Sequence, residues 1–263
     1  MYNLTDFYAI LNDIAPIELS LKSIEKGDYD NSGILVKQTE KVNKALFCLD
    51  LTESAVNRAV RLKCDTIVTH HPAIYTPVKS LDIGGENKAL LKAISKGLNI
   101  ISMHLNLDFA TCGIDANLAK TLGAKSYKIL DYVVDGFGYG REFSIQETTL
   151  SNYANFVKNA LKTKKVIAYG NKNTKIKSVA SFCGAGSPVA LKMVKGGLTN
   201  ADLIVSADIP HHILLELLEL NKCVLVLTHY SAEIVGFKDF ANQVKERVKG
   251  GVEIIYFEDK RFM

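Results

Sequence analysis

Residues 45–72 read ALFCLDLTESAVNRAVRLKCDTIVTHHP, and this stretch decides the class of fold. Residues 45–50 form a short apolar run that is typical of a buried strand. Thr52 is a good N-cap for the segment after it, in which apolar side chains recur at helical spacing. Residues 66–70 form a second strand of the same kind. A strand, a helix and a strand in this order predict a parallel βαβ unit.

The same alternation continues on both sides of this stretch. We predict helices at 4–14, 86–96, 114–122, 151–162, 188–195, 210–220 and 232–248. We predict further strands at 98–103, 127–134, 141–149, 165–169, 176–182, 202–206, 223–228 and 252–257, with a hairpin turn at Asp135–Gly138. The pattern therefore predicts an α/β fold of two lobes, each a mixed, largely parallel sheet flanked by helices. Residues 1–130 form the first lobe and residues 131–248 the second, with 249–263 as a candidate return to the first.

The composition limits the classes of partner. The chain has 263 residues, 48% of them hydrophobic, so it can bury a sizeable core. A formal charge of +4 is too mild to imply a nucleic-acid partner by itself. Residues 158–177 hold seven Lys and no acidic residue, which is typical either of a solvated face or of a phosphate-binding patch. We expect a small-molecule substrate rather than a nucleic acid.

The cysteines and the first residues bear on the compartment. The five Cys include no C-x-x-C pair, and Cys48 and Cys223 lie in apolar runs, as reduced, buried thiols do. Residues 1–6 lack the cationic start and apolar core of a signal peptide. No apolar run reaches the ~20 residues of a membrane helix. We therefore expect a cytoplasmic protein that does not engage a membrane.

Three short segments carry metal-type ligands directly after a strand-like run. They are His70-His71-Pro72, His104 to Asp108, and His229 to Glu233. In open α/β sheets, ligand sites form beyond the carboxyl ends of the strands. Four imidazoles and two carboxylates can therefore converge, although they come from distant parts of the chain.

Each segment also has an ordinary structural interpretation. Pro72 keeps His71 extended, and adjacent residues of a regular strand point to opposite sides, so a distorted loop is needed to aim both His at one site. Four-residue spacing places His104 and Asp108 on one face of a helical turn, which is a weak signal alone. Glu233 falls near a helix N-terminus, where the helix dipole favours an acid in any case.

Taken together, the six side chains exceed the four ligands of one structural zinc site. Two divalent transition-metal ions, bridged by a carboxylate or water, would use all six. Mixed imidazole and carboxylate ligands suit Zn, Fe or Mn.

Two further segments are candidates for supporting roles. Asp208, His211 and His212 surround Pro210, which suits the start of a helix and places both His in its first turn. They either orient ligands or contact substrate, or they are ordinary exposed residues. Residues 183–188 read CGAGSP, a turn whose backbone N–H groups either hold an anion or simply connect a strand to a helix. The glycine-rich nucleotide motifs are absent.

These segments in this order resemble the NIF-three-like family, also known as GTP cyclohydrolase 1 type 2 homologues. The resemblance rests on the following stretches: Tyr29–Gly33, Leu49–Glu53, His70–Tyr75 with Lys79–Leu81, His104–Asp108 with Gly113–Asp115, Cys183–Gly186, Ser206–His212 and His229–Glu233. The ordered set is far more specific than any one member.

The resemblance implies two α/β lobes, a dinuclear metal site between them and a toroidal homohexamer. It places the metal ligands at His70, His71, His104, Asp108, His229 and Glu233. The length fits the short form without the inserted domain. Ala207 and Thr228 stand where the family typically has Gly, which puts substrate fit in doubt more than metal binding.

The expected function is metal-dependent hydrolysis of a nucleotide or another small phosphorylated or heterocyclic compound. The alternative is a non-catalytic, metal-containing ring that binds a protein partner or handles metal. An open coordination position and a pocket-lining base would separate the two, and neither is visible in a sequence.

Overall fold

The computed structural model describes residues 2–262. The helices are α1 Leu4–Ile14, α2 Ile17–Glu25, α3 Glu53–Arg61, α4 Lys88–Ser95, α5 Leu105–Phe109, α6 Ile114–Thr121, α7 Leu150–Ala160, α8 Ser187–Lys195, α9 His211–Glu219 and α10 His229–Arg247. The strands are β1 Tyr2–Asn3, β2 Gly33–Val36, β3 Lys41–Val42, β4 Lys44–Cys48, β5 Thr66–Thr69, β6 Asn99–Ser102, β7 Lys128–Val134, β8 Phe137–Thr149, β9 Ile167–Tyr169, β10 Lys175–Ser181, β11 Leu203–Ala207, β12 Cys223–Leu227 and β13 Glu253–Tyr256. The predicted α/β class with helices flanking mixed sheets is confirmed.

The chain divides into two compact units. The first contains the residues up to Ala110 together with Phe237–Arg261, and the second contains Thr111–Gly236 and Phe262. The sequence placed this division at residue 130 and the C-terminal return at residue 249. The division lies earlier because α6 packs on β8 of the second sheet. The chain also returns to the first unit earlier than predicted, at Phe237, because the second half of α10 packs into that unit.

The first unit is built on a five-stranded sheet in the order β13-β4-β5-β6-β2. Its first four strands are parallel and β2 runs antiparallel at the edge. Leu46 belongs to the core beneath α3 and α4, whereas its neighbour Phe47 contacts Phe237 and Phe240 of α10. Both faces of β4 are therefore covered, which explains its apolar run from Ala45 to Cys48.

The second unit is built on a six-stranded sheet in the order β7-β8-β10-β11-β12-β9. The three strands β10, β11 and β12 are parallel, and the hairpin β7–β8 and the edge strand β9 run antiparallel. Phe182, Ile204 and Val224 form a core with side chains of α8 and α9. The predicted hairpin turn is present at Asp135-Gly136, where Gly136 has a φ of +79°.

Several elements were not predicted from the sequence. Helices α2 and α5 and the short strands β1, β2 and β3 lie in segments without clear periodicity. Helix α10 begins at His229 rather than at residue 232, because Thr228 caps it: the Thr228 Oγ1 accepts from the N–H of Ser231 at 3.2 Å. His229 is thus the first residue of a helix and not the end of a strand. Among residues 2–262, no helix combines the length and the apolar character needed to cross a membrane.

In each unit, the candidate site residues follow the carboxyl ends of adjacent parallel strands. In the first unit, Asp50, His70 and His104 follow the carboxyl ends of the adjacent strands β4, β5 and β6. In the second unit, Asp208 and His229 follow the ends of the adjacent strands β11 and β12. This is the edge at which open α/β sheets form their binding sites.

Candidate metal centre

The backbone after β5 delivers two consecutive His to one site. The N–H groups of His70 and His71 both donate to the carbonyl of Leu49, at 3.1 and 3.0 Å. This bends the chain out of the regular strand geometry, in which adjacent side chains diverge. Beyond it, the Ser102 Oγ accepts from the N–H of Ala73 at 3.2 Å and holds the following loop. The distorted loop that the sequence required is present.

Three imidazoles of the first unit form one group. His70, His71 and His104 each offer a ligand atom, and these atoms lie within 4.8 Å of one another. The His70 Nε2 also lies 3.5 Å from the Asp108 Oδ1. His70 and Asp108 are buried, and the other two are half-buried. The four side chains of this unit that were predicted to be ligands are therefore neighbours.

The Nδ1 atom of each imidazole in this group is engaged by an oxygen acceptor. His70 donates to the carbonyl of Met103 at 2.8 Å. His71 donates to Asp50 at 2.7 Å and His104 to Asp30 at 2.7 Å. These bonds fix the tautomer and the ring orientation, so that Nε2 is the nitrogen that could bind a metal ion.

Asp30 accepts further hydrogen bonds besides the one from His104. Its carboxylate accepts from the Ser32 Oγ at 2.7 Å, and the Ser32 Oγ accepts in turn from the backbone N–H of His104 at 3.0 Å. Burial raises the pKa of Asp30, but hydrogen bonds from His104, Ser20 and Ser32 outweigh burial and hold the pKa below its ordinary value. Asp30 is therefore ionised at neutral pH and holds His104 through a charge-assisted hydrogen bond.

The second unit carries a smaller group at the start of α10. The His229 Nε2 lies 2.9 Å from the Glu233 Oε1, one helical turn away. The His229 Nδ1 donates to Asp208, whose backbone has a φ of +47° after the end of β11. His229 thus follows the same pattern as the first group, with Nδ1 on an acceptor and Nε2 on the ligand side.

Backbone atoms approach this second group closely. Gly184 has a φ of +52°, and a Cβ on it would lie 2.5 Å from the Glu233 Oε1 and 3.3 Å from the His229 Nε2. The carbonyl of Gly184 accepts from the N–H of Ala207 at 3.1 Å. Only glycine fits here without displacing the carboxylate.

The donor set fits a divalent cation on electrostatic grounds. A carbonyl can only accept, so the His70 Nδ1 must carry the hydrogen that bonds to Met103. A neutral His70 then turns the lone pair of Nε2 toward the Asp108 carboxylate. Two acceptors facing each other repel unless a proton or a metal ion lies between them. A second proton would place a charge on His70, which is fully buried beside two other imidazoles. A metal ion removes both conflicts.

The remaining predicted residues fall into two classes. Asp208 contacts His229 directly, as a residue that orients a ligand does. His211 and His212 are the first residues of α9 and are exposed. In the described part of the chain, neither belongs to a group that could hold a metal.

Sequence reasoning assigned no role to Asp30 and Asp50, which orient His104 and His71. Asp50 offered a signal, because it follows β4 in the way that His70 follows β5. Asp30 lies in the irregular segment before β2, and its signal was its place in the stretch Tyr29–Gly33 that resembles the family.

Comparison with known proteins gives one consistent result. The family model described as Duf34/NIF3 (NGG1p interacting factor 3) matches residues 2–261. A Clostridium perfringens relative named GTP cyclohydrolase 1 type 2 homolog is 28% identical over 98% of this chain and 97% of its own length. A Bacillus cereus protein related to NIF3 has a similar fold, with a TM-score of 0.88 at 19% identity, covering 98% of this chain and 97% of its own. Staphylococcus aureus protein SA1388 gives a TM-score of 0.85 at 24% identity over 99% and 98%.

Proposed function

Because the chain belongs to the Duf34/NIF3 family, we propose that it binds two divalent transition-metal ions and hydrolyses a small phosphorylated or heterocyclic compound. The proposed ligands are His70, His71, His104, Asp108, His229 and Glu233. The observation that carries the proposal is the pairing of a fixed imidazole Nε2 with a carboxylate oxygen, at 3.5 Å for His70 and Asp108 and at 2.9 Å for His229 and Glu233. Metal–ligand bonds of about 2.0–2.2 Å make such separations compatible with two ligands that share an ion.

The number of proposed ligands supports two ions, because six side chains exceed the four ligands of one tetrahedral site. His229 and Glu233 of the second unit supply two of these ligands. The first unit supplies the other four, which are three imidazoles and the Asp108 carboxylate. The carboxylates Asp108 and Glu233 would offset part of the charge of two divalent ions.

The residues around the ligands have a common task in this proposal. Asp30, Asp50 and Asp208 each accept from the Nδ1 of a His, which keeps the ring in place and makes its Nε2 a better donor to a cation. Bound divalent ions would supply Lewis acidity and lower the pKa of a water to near neutrality. Zn, Fe and Mn all suit this donor set.

Metal analysis of protein purified without chelator tests the first half of the proposal. We expect about two ions per chain in the wild type, fewer in His70→Ala, and the wild-type number in His211→Ala, whose ring is exposed on α9. A reproducible absence of metal after reloading with Zn, Fe or Mn would refute the proposal.

A panel of nucleotides, including GTP, and of other phosphorylated and heterocyclic compounds tests the second half. Turnover should be lost on chelation and return with metal. Full metal occupancy without turnover on any compound would favour the alternative, a non-catalytic metal-containing assembly that binds a protein partner or handles metal.

Membership of the family also motivates the proposal of a closed ring of six subunits. Light scattering at micromolar concentration should then report a particle of six chains. A monomer at that concentration would overturn the proposal of a ring. The proposal of two bound metal ions would still be judged by metal content.

A further inference from the structure

The second unit buries an ion pair that the proposed chemistry does not use. Asp115 on α6 and Arg141 on β8 are both fully buried, with the Arg141 Nη1 3.1 Å from the Asp115 Oδ2. Arg141 also donates to the carbonyl of Gly138 at 2.9 Å. A buried ion pair loses so much hydration that it is often no more stabilising than a pair of apolar side chains. Its presence therefore calls for an explanation other than stability.

Asp115 connects this pair to the turn beside the metal ligands. Its Oδ1 accepts from the backbone N–H of Cys183 at 3.0 Å. Burial raises the pKa of Asp115 to about 6, against the lowering effect of Arg141. Tyr139 donates from its hydroxyl to the carbonyl of the same Cys183. Two side chains thus hold Cys183, and the next residue is Gly184.

Gly184 lies beside the proposed ligands, so that a side chain there would meet them. The space that a Cβ would occupy lies 2.5 Å from the Glu233 Oε1, and the φ of +52° lies in the left-handed region that favours glycine. A shift of Cys183 therefore moves the backbone against or away from the Glu233 carboxylate.

Helices α10 and α6 also approach each other closely. Gly236 lies one turn after Glu233 on α10, and a Cβ on it would lie 2.7 Å from the Cα of Ile114. Ile114 is the first residue of α6 and precedes Asp115. The contacts therefore close a circuit: Glu233, Gly236, Ile114, Asp115, Cys183, Gly184 and back to Glu233.

We infer that Asp115 and Gly184 are positioning residues that hold the Glu233 carboxylate at the orientation needed to bind metal. The inference rests on the proposed role of Glu233 as a ligand. Arg141 holds the Asp115 carboxylate, Asp115 holds the turn, and the turn sets where the carboxylate can lie. Because the contacts close on themselves, Glu233 is fixed by packing as well as by its own rotamer preference. Ligands fixed in this way lose little freedom when they bind an ion.

The first test compares Gly184→Ala with Gly197→Ala. Gly197 lies in the same unit with a φ of +67°, and a Cβ on it would have no neighbouring atom within 4 Å. This control therefore carries the backbone strain without the contact to Glu233. Cobalt titration followed by visible absorption measures affinity and coordination together. We expect Gly197→Ala to match the wild type, and Gly184→Ala to lose about tenfold or more in cobalt affinity with an altered spectrum. Equal affinity and equal spectra for both variants would overturn the inference for Gly184.

The second test compares Asp115→Asn with Asp115→Ala. Both variants remove the charge beside Arg141, so both share any change in stability that follows from it. Only Asn keeps an oxygen that accepts from Cys183. We expect Asn to preserve the cobalt spectrum and Ala to weaken binding by about tenfold. Equal cobalt binding by the two variants would show that the hydrogen bond from Cys183 to Asp115 does not position Glu233.

A metal-free measurement separates the failure of this inference from the failure of the proposed function. Glu233→Ala removes the oxygen that a Cβ at Gly184 would meet. Gly184→Ala should therefore lower the thermal midpoint of metal-free protein less in the Glu233→Ala background than in the wild type. A wild type that takes up no cobalt would refute the proposed function, while additive midpoint shifts would refute the contact itself.

Discussion

Replacing Asp30 should weaken metal binding without unfolding the first unit. Asp30→Asn keeps an oxygen that accepts from the His104 Nδ1 but removes the negative charge. Asp30→Ala removes the acceptor altogether. His104 then keeps its backbone bond to the Ser32 Oγ, at 3.0 Å, but its ring loses the partner that sets its rotation.

The magnitude follows from the hydrogen bond that the His104 Nδ1 donates to the carboxylate, at 2.7 Å. A hydrogen bond to a charged group contributes about 1.5–3 kcal/mol and one to a neutral group about 0.5–1.5 kcal/mol. Loss of the charge alone therefore costs about 1.4 kcal/mol in the bond that orients His104, which is about tenfold in metal affinity. Loss of the acceptor costs about twice that, or about 100-fold, at the upper end of the effect of removing a residue that orients a metal ligand.

Competition between the protein and a chromophoric chelator for zinc measures both affinities. Asp28→Asn is the matched control, because Asp28 lies two residues away, is exposed and contacts Ser23 rather than a His. We expect the control to bind zinc as the wild type does. If Asp30→Ala binds zinc within about twofold of the control, the hydrogen bond from His104 to Asp30 has no bearing on metal binding and the reasoning fails.

Three further predictions concern other parts of the molecule. Glu233→Gln should lower the metal content, because the amide keeps the shape but loses the charge, whereas His211→Ala should leave metal content unchanged; elemental analysis of both variants decides this. Burial raises the pKa of Asp202, but hydrogen bonds from the backbone of β10 outweigh it and hold the pKa below its ordinary value. Its ionised form therefore stabilises the fold above the unfolded pKa, and this stabilisation is lost as the pH falls through the folded pKa. Asp202→Asn should accordingly destabilise the protein at pH about 7 and approach the wild type below about 4 in denaturant unfolding; a pH-independent difference would contradict this. Phe240→Ala should cost about 3–5 kcal/mol in the free energy of unfolding, because its fully buried ring contacts Phe47 of the first sheet, and a loss under 1 kcal/mol would show that this half of α10 is not part of that core.

The sequence by itself determined the α/β class, the order of most elements and the ligand candidates. Buried parallel strands need apolar side chains on both faces, so residues 45–48 of β4 and all of β12 stand out as unbroken apolar runs, and β5 and β11 are interrupted only by Thr or Ser. Helix starts such as Thr52 carry their own signal, because the side chain must satisfy a backbone N–H. The His residues at strand ends were identifiable because parallel strands all end at one edge of a sheet.

Tertiary structure decided which residues support those candidates and where the units divide. Asp30 orients His104 across more than seventy positions of sequence, in a segment with no periodic pattern. The circuit through Asp115 and Gly184 likewise depends on contacts between elements that are distant in the chain. The physical reason is that periodicity records only which face of an element is buried. Hydrogen bonds between distant elements, and close approaches of backbone to side chain, depend on packing that no local pattern encodes.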